Sequence, residues 1–173
     1  TAGAGLINDV NALRAPGALE VARNHRAAVC LMHMQGEPGT MQNAPQYRDV
    51  VTEVHDFLAA RINACLEAGI SPDQILIDPG IGFGKTLEHN LDLLANLDAF
   101  APLRCPLLIG VSRKSMFKAL LGAALDQRLN GALSAASVAV WQGAVIVRAH
   151  DVRATVEAMQ VASALRDKRR AHP

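Results

Sequence analysis

Residues 75–86 read Ile-Leu-Ile-Asp-Pro-Gly-Ile-Gly-Phe-Gly-Lys-Thr. Three apolar residues end in a carboxylate, a proline breaks the extended run, and Gly80, Gly82 and Gly84 follow on alternate positions. This pattern predicts a short buried strand that delivers Asp78 to the edge of a sheet, with a glycine loop passing close to whatever Asp78 binds. Two common glycine-loop motifs do not fit. A phosphate-cradling loop needs Gly five residues before Gly84, where Pro79 stands; a dinucleotide fingerprint needs Gly three residues after Gly82, where Lys85 stands.

The chain has 173 residues, the size of one domain with a real core. It is 50% hydrophobic and 19% charged, which excludes disorder, and no apolar run approaches the ~20 residues of a spanning helix. A net charge of +1 gives no argument for nucleic acid, and the basic run Lys168-Arg169-Arg170 reads as a solvated helix end. Cys30, Cys65 and Cys105 are odd in number and fit no metal spacing. They are expected to be free thiols in a reducing cytoplasm. The chain starts at Thr1 without a signal-peptide layout or an initiating methionine, so a fragment or a processed chain is expected.

Working outward, Gly5-Leu6-Ile7 leads into Asn8-Asp9, a short strand with a polar end. Pro16-Gly17 opens a helix to about Arg26. Residues 27–34 form an apolar strand with Cys30, Met32 and Met34 on one face and Leu31 and His33 on the other. Its exit, from Gln35 to Ala44, is long enough to suggest function. Val50, Val54, Phe57, Leu58, Ile62, Cys65 and Leu66 recur at helical spacing until Ala68-Gly69. Thr86 is a candidate N-cap for a helix through Leu97, with Glu88 in its first turn. Residues 107–111 form another apolar run, ending in Ser112-Arg113-Lys114-Ser115. Helical patterns cover 116–121 and 129–141, the second with Asp126 as a possible cap. The last strand, 144–147, ends in Arg148-Ala149-His150-Asp151. Asp151 can cap a final helix with apolar positions Val152, Val156, Met159, Ala162 and Leu165.

Strand then helix is repeated five times, with strands apolar almost throughout. That predicts an α/β fold with a parallel sheet and right-handed crossovers. Each strand ends in polar or ionisable residues, the layout of a (β/α)8 TIM-barrel active-site face. Against roughly 250 residues for the complete barrel, about three N-terminal units are expected to be missing, leaving the last five. The whole chain, 1–173, reads as one such incomplete domain.

The strand ends bring an amide (Asn8), a carboxylate (Asp78), cations (Lys114, Arg148) and an imidazole (His150), flanked by Met32 and Phe83. A planar heterocycle with an amidine-like edge would satisfy this set. Asp78 accepts a pair of N–H bonds, Asn8 takes one donor and one acceptor, and Lys114 donates to the ring. Met32, Phe83 and the plane of Arg148 could sandwich it. Arg148 and His150, beside a helix N-terminus, suit a phosphate or pyrophosphate.

These residues resemble the dihydropteroate synthase family. The matching segments are Ile7-Asn8-Asp9-Val10, 31–36, Asp78 through Lys85, Gly110 to Met116, and Arg148-Ala149-His150-Asp151. The resemblance implies condensation of 7,8-dihydropterin-6-ylmethyl pyrophosphate with p-aminobenzoate, giving 7,8-dihydropteroate and pyrophosphate, with sulfonamides as inhibitors. It implies that Asn8, Met32, Asp78, Gly82, Phe83, Lys114 and Arg148 bind the pterin. Arg148 and His150 take the pyrophosphate, and Lys114, Arg148 and His150 carry the catalysis. Ser115, and more weakly Ser112, take the carboxylate of p-aminobenzoate. It further implies a homodimer and Mg2+, with no metal ligand in this chain because the family's metal-binding and pocket-covering residues lie on its first three strands.

Blander and rival readings stand beside this one. His33 has the opposite parity from Met32 and reads as structural; His25, His55 and His89 read as surface residues of helices. Lys85 is either a loop charge or part of the site, and Arg113 either pairs within its loop or faces solvent. A pterin-binding methyltransferase-type barrel would share the Asn/Asp recognition, but it needs neither Ser112-Arg113-Lys114 nor Arg148/His150. An inactive fragment of the synthase is the non-enzymatic alternative.

Overall fold

The computed structural model describes residues 3–37 and 39–170. Residues 1 and 2 and Pro38 of the long exit loop lie outside the described residues. Five strands alternate with helices: β1 (Leu6–Asp9), α1 (Ala18–Asn24), β2 (Ala28–Met32), α2 (Val50–Glu67), β3 (Ile75–Asp78), α3 (Leu87–Ala95), β4 (Leu108–Ile109), α4 (Met116–Leu121), α5 (Leu129–Trp141), β5 (Ile146–Val147) and α6 (Val152–Arg170). Every pairing is parallel, in the order β1-β2-β3 and β4-β5. A parallel bridge between Ile77 and Leu107, with Ile77 N–H donating to Pro106 O at 3.0 Å, joins the two sheets. The strands therefore follow one another in sequence order, as βα units with helical crossovers produce.

Register decides which residues share a face. Asn8 lies opposite Cys30, Met32 opposite Asp78, and Leu108 opposite Ile146. The other parity (Ile7, Val29, Leu31, Ile75, Ile77, Leu107, Ile109 and Val147) packs into the main core against the helices. The parity expected for 27–34 is therefore observed: Leu31 turns toward the helices, whereas Cys30 and Met32 stand on the face of Asp78.

Helix α2 forms where the apolar spacing predicts. Val50, Val54, Leu58, Ile62 and Cys65 are its buried stripe, and Asp49 caps it by accepting from Val51 N–H and Thr52 N–H. Helix α3 starts at the expected cap: Thr86 Oγ1 accepts from His89 N–H at 3.2 Å, and Thr86 N–H donates to His89 Nδ1 at 3.3 Å. His89 is thus a half-buried capping residue and not a free surface histidine. His55 is half-buried too and pairs with Asp56, while His25 is exposed at the end of α1. All three cysteines are free.

Several expected details differ. α3 ends at Ala95 and continues as a 3-10 segment, Leu97–Leu103, because Asn96 leaves the helical conformation. Asp126 lies in a short 3-10 turn and does not cap α5, whose first flanking residue is Arg128. The carboxylate of Asp151 is held by Arg113 (2.9 and 3.2 Å) beside the start of α6. The apolar positions expected to bury α6 are largely outside: Val152 is 61% and Leu165 58% exposed, while Thr155 and Ala162 are buried. Of the expected positions Ala162 is buried, and α6 packs against α5. Lys168 and Arg169 near the end of α6 are exposed, with Arg169 stacked 5.1 Å from the Trp141 ring centroid. No helix among the described residues is long and apolar enough to cross a membrane.

Candidate functional site

The carboxyl ends of the strands converge as parallel pairing requires. Asp78 is 1% exposed. Its Oδ1 accepts from Gly80 N–H at 2.8 Å, and its Oδ2 faces Arg148 Nη2 at 3.4 Å. Burial pushes the Asp78 carboxyl above its usual range; the Gly80 N–H, Arg148, Lys114 and Lys85 pull it back, and burial prevails. A ligand with N–H donors would supply the stabilisation that water cannot reach to give.

The cations surround this carboxyl. Lys114 Nζ stands 4.1 Å from the centroid of the Phe83 ring, a cation–π contact. Burial lowers the pKa of Lys114, Asp78 raises it and Arg148 lowers it. Gly82 is required beneath this side chain: its φ is +80°, and a Cβ there would come within 3.0 Å of Lys114 Cδ. Gly110 plays the same part for Arg148, since a Cβ would stand 2.8 Å from Nη2.

His150 is positioned by Ser112, whose Oγ lies 2.9 Å from Nδ1 and accepts from the His150 N–H at 3.1 Å. The Arg113–Asp151 pair ties the same two loops together further out, so Arg113 pairs and is not free in solvent. A cavity of about 600 Å3 opens over these groups, lined by Phe83, Gly110, Ser112, Lys114, Arg148 and His150 among others. A cleft of about 740 Å3 lies between the starts of α2 and α3, but no strand-end residue lines it.

Most of the expected site residues are thus brought together. Phe83, Ser112, Lys114, Arg148 and His150 share the cavity; Asp78 meets Arg148, and Met32 pairs beside Asp78. Asn8 is exposed on the face of Asp78, one strand beyond Met32 and nearer the start of the sheet. Ser115 is exposed before α4, makes no capping bond and does not line the cavity.

Three contributors escape a motif reading. Cys30 is fully buried on the site face, with its thiol pushed up to about 12 by burial and then by Asp78. Parity with Met32 is the signal that could have found it. Asn90, on the inner side of α3, accepts from Gly82 N–H at 2.6 Å and donates to Thr86 O at 2.5 Å. An asparagine between Leu87, Leu91 and Leu94 at helical spacing was its signal. Gly110 shows in the sequence as a glycine inside an apolar run and as the start of the matching segment Gly110 to Met116, with no sign of its contact with Arg148.

Known proteins of similar sequence and fold identify the family. The family described as pterin binding enzyme matches residues 1–150. Dihydropteroate synthase of Escherichia coli (strain K12) is 52% identical over 162 residues, covering 94% of this chain and 57% of that protein. The Yersinia pestis dihydropteroate synthase in complex with a sulfonamide drug superposes with a TM-score of 0.93 at 48% identity, over 96% of this chain and 61% of that one. The Xanthomonas albilineans dihydropteroate synthase in complex with 7,8-dihydropteroate gives a TM-score of 0.87 at 47% identity, over 94% and 60%. The chain thus spans a little under two thirds of the length of these relatives. It belongs to the pterin-binding enzyme family, and the dihydropteroate synthases are the members that its sequence and fold resemble.

Proposed function

We propose that this chain carries the pterin and pyrophosphate side of a dihydropteroate synthase, which joins 7,8-dihydropterin-6-ylmethyl pyrophosphate to p-aminobenzoate. The observation that carries the reading is the buried Asp78 carboxyl, ringed by Arg148 and Lys114 beside Phe83 on the parallel strand ends. Asp78 accepts the paired N–H groups of the pterin edge, Asn8 completes that edge, and Lys114 donates to the ring. Met32, Phe83 and the guanidinium plane of Arg148 enclose its faces, and Gly82 keeps the loop clear of Lys114.

The reaction is a displacement at the methylene carbon. The amine nitrogen of p-aminobenzoate forms the new C–N bond, the C–O bond to pyrophosphate breaks, and the nitrogen gives up a proton to solvent water. The leaving group takes the bonding electrons, and Arg148 and His150 stabilise its charge. Lys114, close to the ring, orients it for attack, and positioning does the rest without a covalent intermediate. Ser112 sets the His150 ring through its hydroxyl, which leaves Ser115 as the stronger contact for the carboxylate of p-aminobenzoate.

Among the described residues no group of three or more His, Cys, Asp or Glu side chains converges on a cation. In this reading the ligands of Mg2+ belong to the part of the family's fold outside these residues. The single domain 1–173 corresponds to the last five units of a (β/α)8 barrel. The protein acts in the cytoplasm as a homodimer, for which exposed Val138, Trp141, Val161 and Leu165 on α5 and α6 offer an apolar face. The test is pyrophosphate release by this chain with the pterin pyrophosphate and p-aminobenzoate. Release with both substrates and none without p-aminobenzoate supports the synthase reading; binding without turnover supports an inactive pterin-binding fragment.

A further inference from the structure

We propose that Lys85 is a positioning residue, its buried ammonium tying both ends of the glycine loop to the exit of β2 and so fixing where Asp78 and Phe83 meet a ligand. This rests on the pterin reading for the identity of that ligand, but not for the restraint itself.

Lys85 is only 3% exposed, yet it belongs to the loop it restrains. Its Nζ curls back to lie 3.1 Å from Gly80 O, 3.0 Å from Phe83 O and 3.0 Å from His33 Nδ1. An ammonium has three donors and no acceptor. Here three acceptors meet it, one near each end of the loop and one on the neighbouring strand's exit. His33 Nδ1 must then be the unprotonated nitrogen of a neutral ring. Burial and the Lys85 charge lower the pKa of His33 to about 3, which keeps the ring neutral. Burial takes Lys85 itself down to about 7, with Asp78 opposing and Lys114 assisting.

The loop needs such a restraint. Gly80, Gly82 and Gly84 all have positive φ, so its backbone is the kind that relaxes readily when unpinned. Its neighbours are already close: a Cβ on Gly80 would overlap His33 O, and one on Gly84 would overlap Gln35 O. Gln42 Nε2 donates to Gly82 O, and Tyr47 Oη donates to Gly84 O. These outer bonds hold the middle and far end of the loop. Lys85 reaches both Gly80, whose N–H holds Asp78 and whose O also accepts from Phe83 N–H, and Phe83, whose ring lies under Lys114.

The experiment compares the unaltered chain with Lys85→Met by amide hydrogen exchange and by titration with 6-hydroxymethyl-7,8-dihydropterin pyrophosphate. The amides of Gly80, Gly82 and Phe83 should exchange at least tenfold faster in the variant while those of α2 keep their rates, and pterin affinity should fall at least tenfold. If the unaltered chain binds no pterin but the loop amides still respond, the functional reading fails and the positioning role stands. Unchanged loop exchange in a folded variant overturns the proposal. Nitrogen NMR of the unaltered protein at pH 6 decides independently should the variant not fold. An unprotonated His33 Nδ1 facing a slowly exchanging Lys85 ammonium is the expected result, and a protonated Nδ1 overturns it.

Discussion

The guanidinium of Arg148 rests against the backbone of Gly110, where a Cβ would stand 2.8 Å from its Nη2. The side chain that would have to move is the far end of a flexible arginine. Gly110→Ala should therefore leave the fold intact, with a change in melting temperature of only a few degrees, while swinging Arg148 away from Asp78. Affinity for the pterin pyrophosphate should drop about tenfold, the loss of roughly one charge-assisted hydrogen bond. Calorimetry and a melting curve on the same sample separate the two effects; unaltered affinity would remove Gly110 from the site.

His33 and Lys85 make stability depend on pH in a defined direction. The folded pKa of His33, about 3, lies below its ordinary value of 6.5. The unfolded chain thus binds more protons between those values, and stability should fall as pH drops from about 6.5 to 3. The groups that set this are burial, then Lys85 and Arg14. For a ring this buried the effect is on the order of 3–5 kcal/mol. Lys85 has the same sign in a second window, so stability should rise with pH from about 7 to 10.5. Urea denaturation of the protein and of His33→Gln across pH 3–7 is the check. The difference should shift in favour of the variant as pH falls; parallel curves would contradict the buried neutral imidazole.

Asn90 holds the middle of the glycine loop from within α3. Asn90→Leu would leave Gly82 N–H without its partner, while Thr86 O keeps the backbone N–H of residue 90. Leaving such a group unpaired costs about 1–3 kcal/mol. Chemical denaturation should show that loss, and a variant as stable as the parent would make the asparagine dispensable.

The open sheet predicts association. Among the described residues β1 and β5 have no partner on their outer sides, and Leu6, Val145 and Ile146 are exposed there. Exposing even ~400 Å2 of apolar barrel interior would cost ~10 kcal/mol, comparable to the whole stability of a domain. Sedimentation of a chain of only these 173 residues should show self-association. A compact monomer that melts cooperatively would refute the open-barrel argument.

Much of this was legible in the sequence because its signals are local. The apolar stripe of α2, the Thr86 cap and the strand parity that puts Met32 beside Asp78 each depend on neighbours a few residues away. The polar strand ends marked the site because parallel strands must bring them to one edge. What stayed hidden depends on distant pairings. Lys85 reads equally as a loop charge or a site residue until the fold brings His33 to it across 52 residues. The face of α6 went astray because apolar spacing cannot tell a stripe that packs on α5 from one left exposed, as Val152 and Leu165 are.

The most direct test of the site is Asp78→Asn, followed by calorimetric titration with the pterin pyrophosphate. The substitution keeps the shape but puts an amide donor where the ring's N–H groups need an acceptor, leaving donors unpaired at a cost of ~1–3 kcal/mol or more. The account predicts measurable binding by the unaltered chain and at least tenfold weaker binding by the variant. Equal binding by the two would show that Asp78 does not hold the pterin, and the proposed site would fall with it.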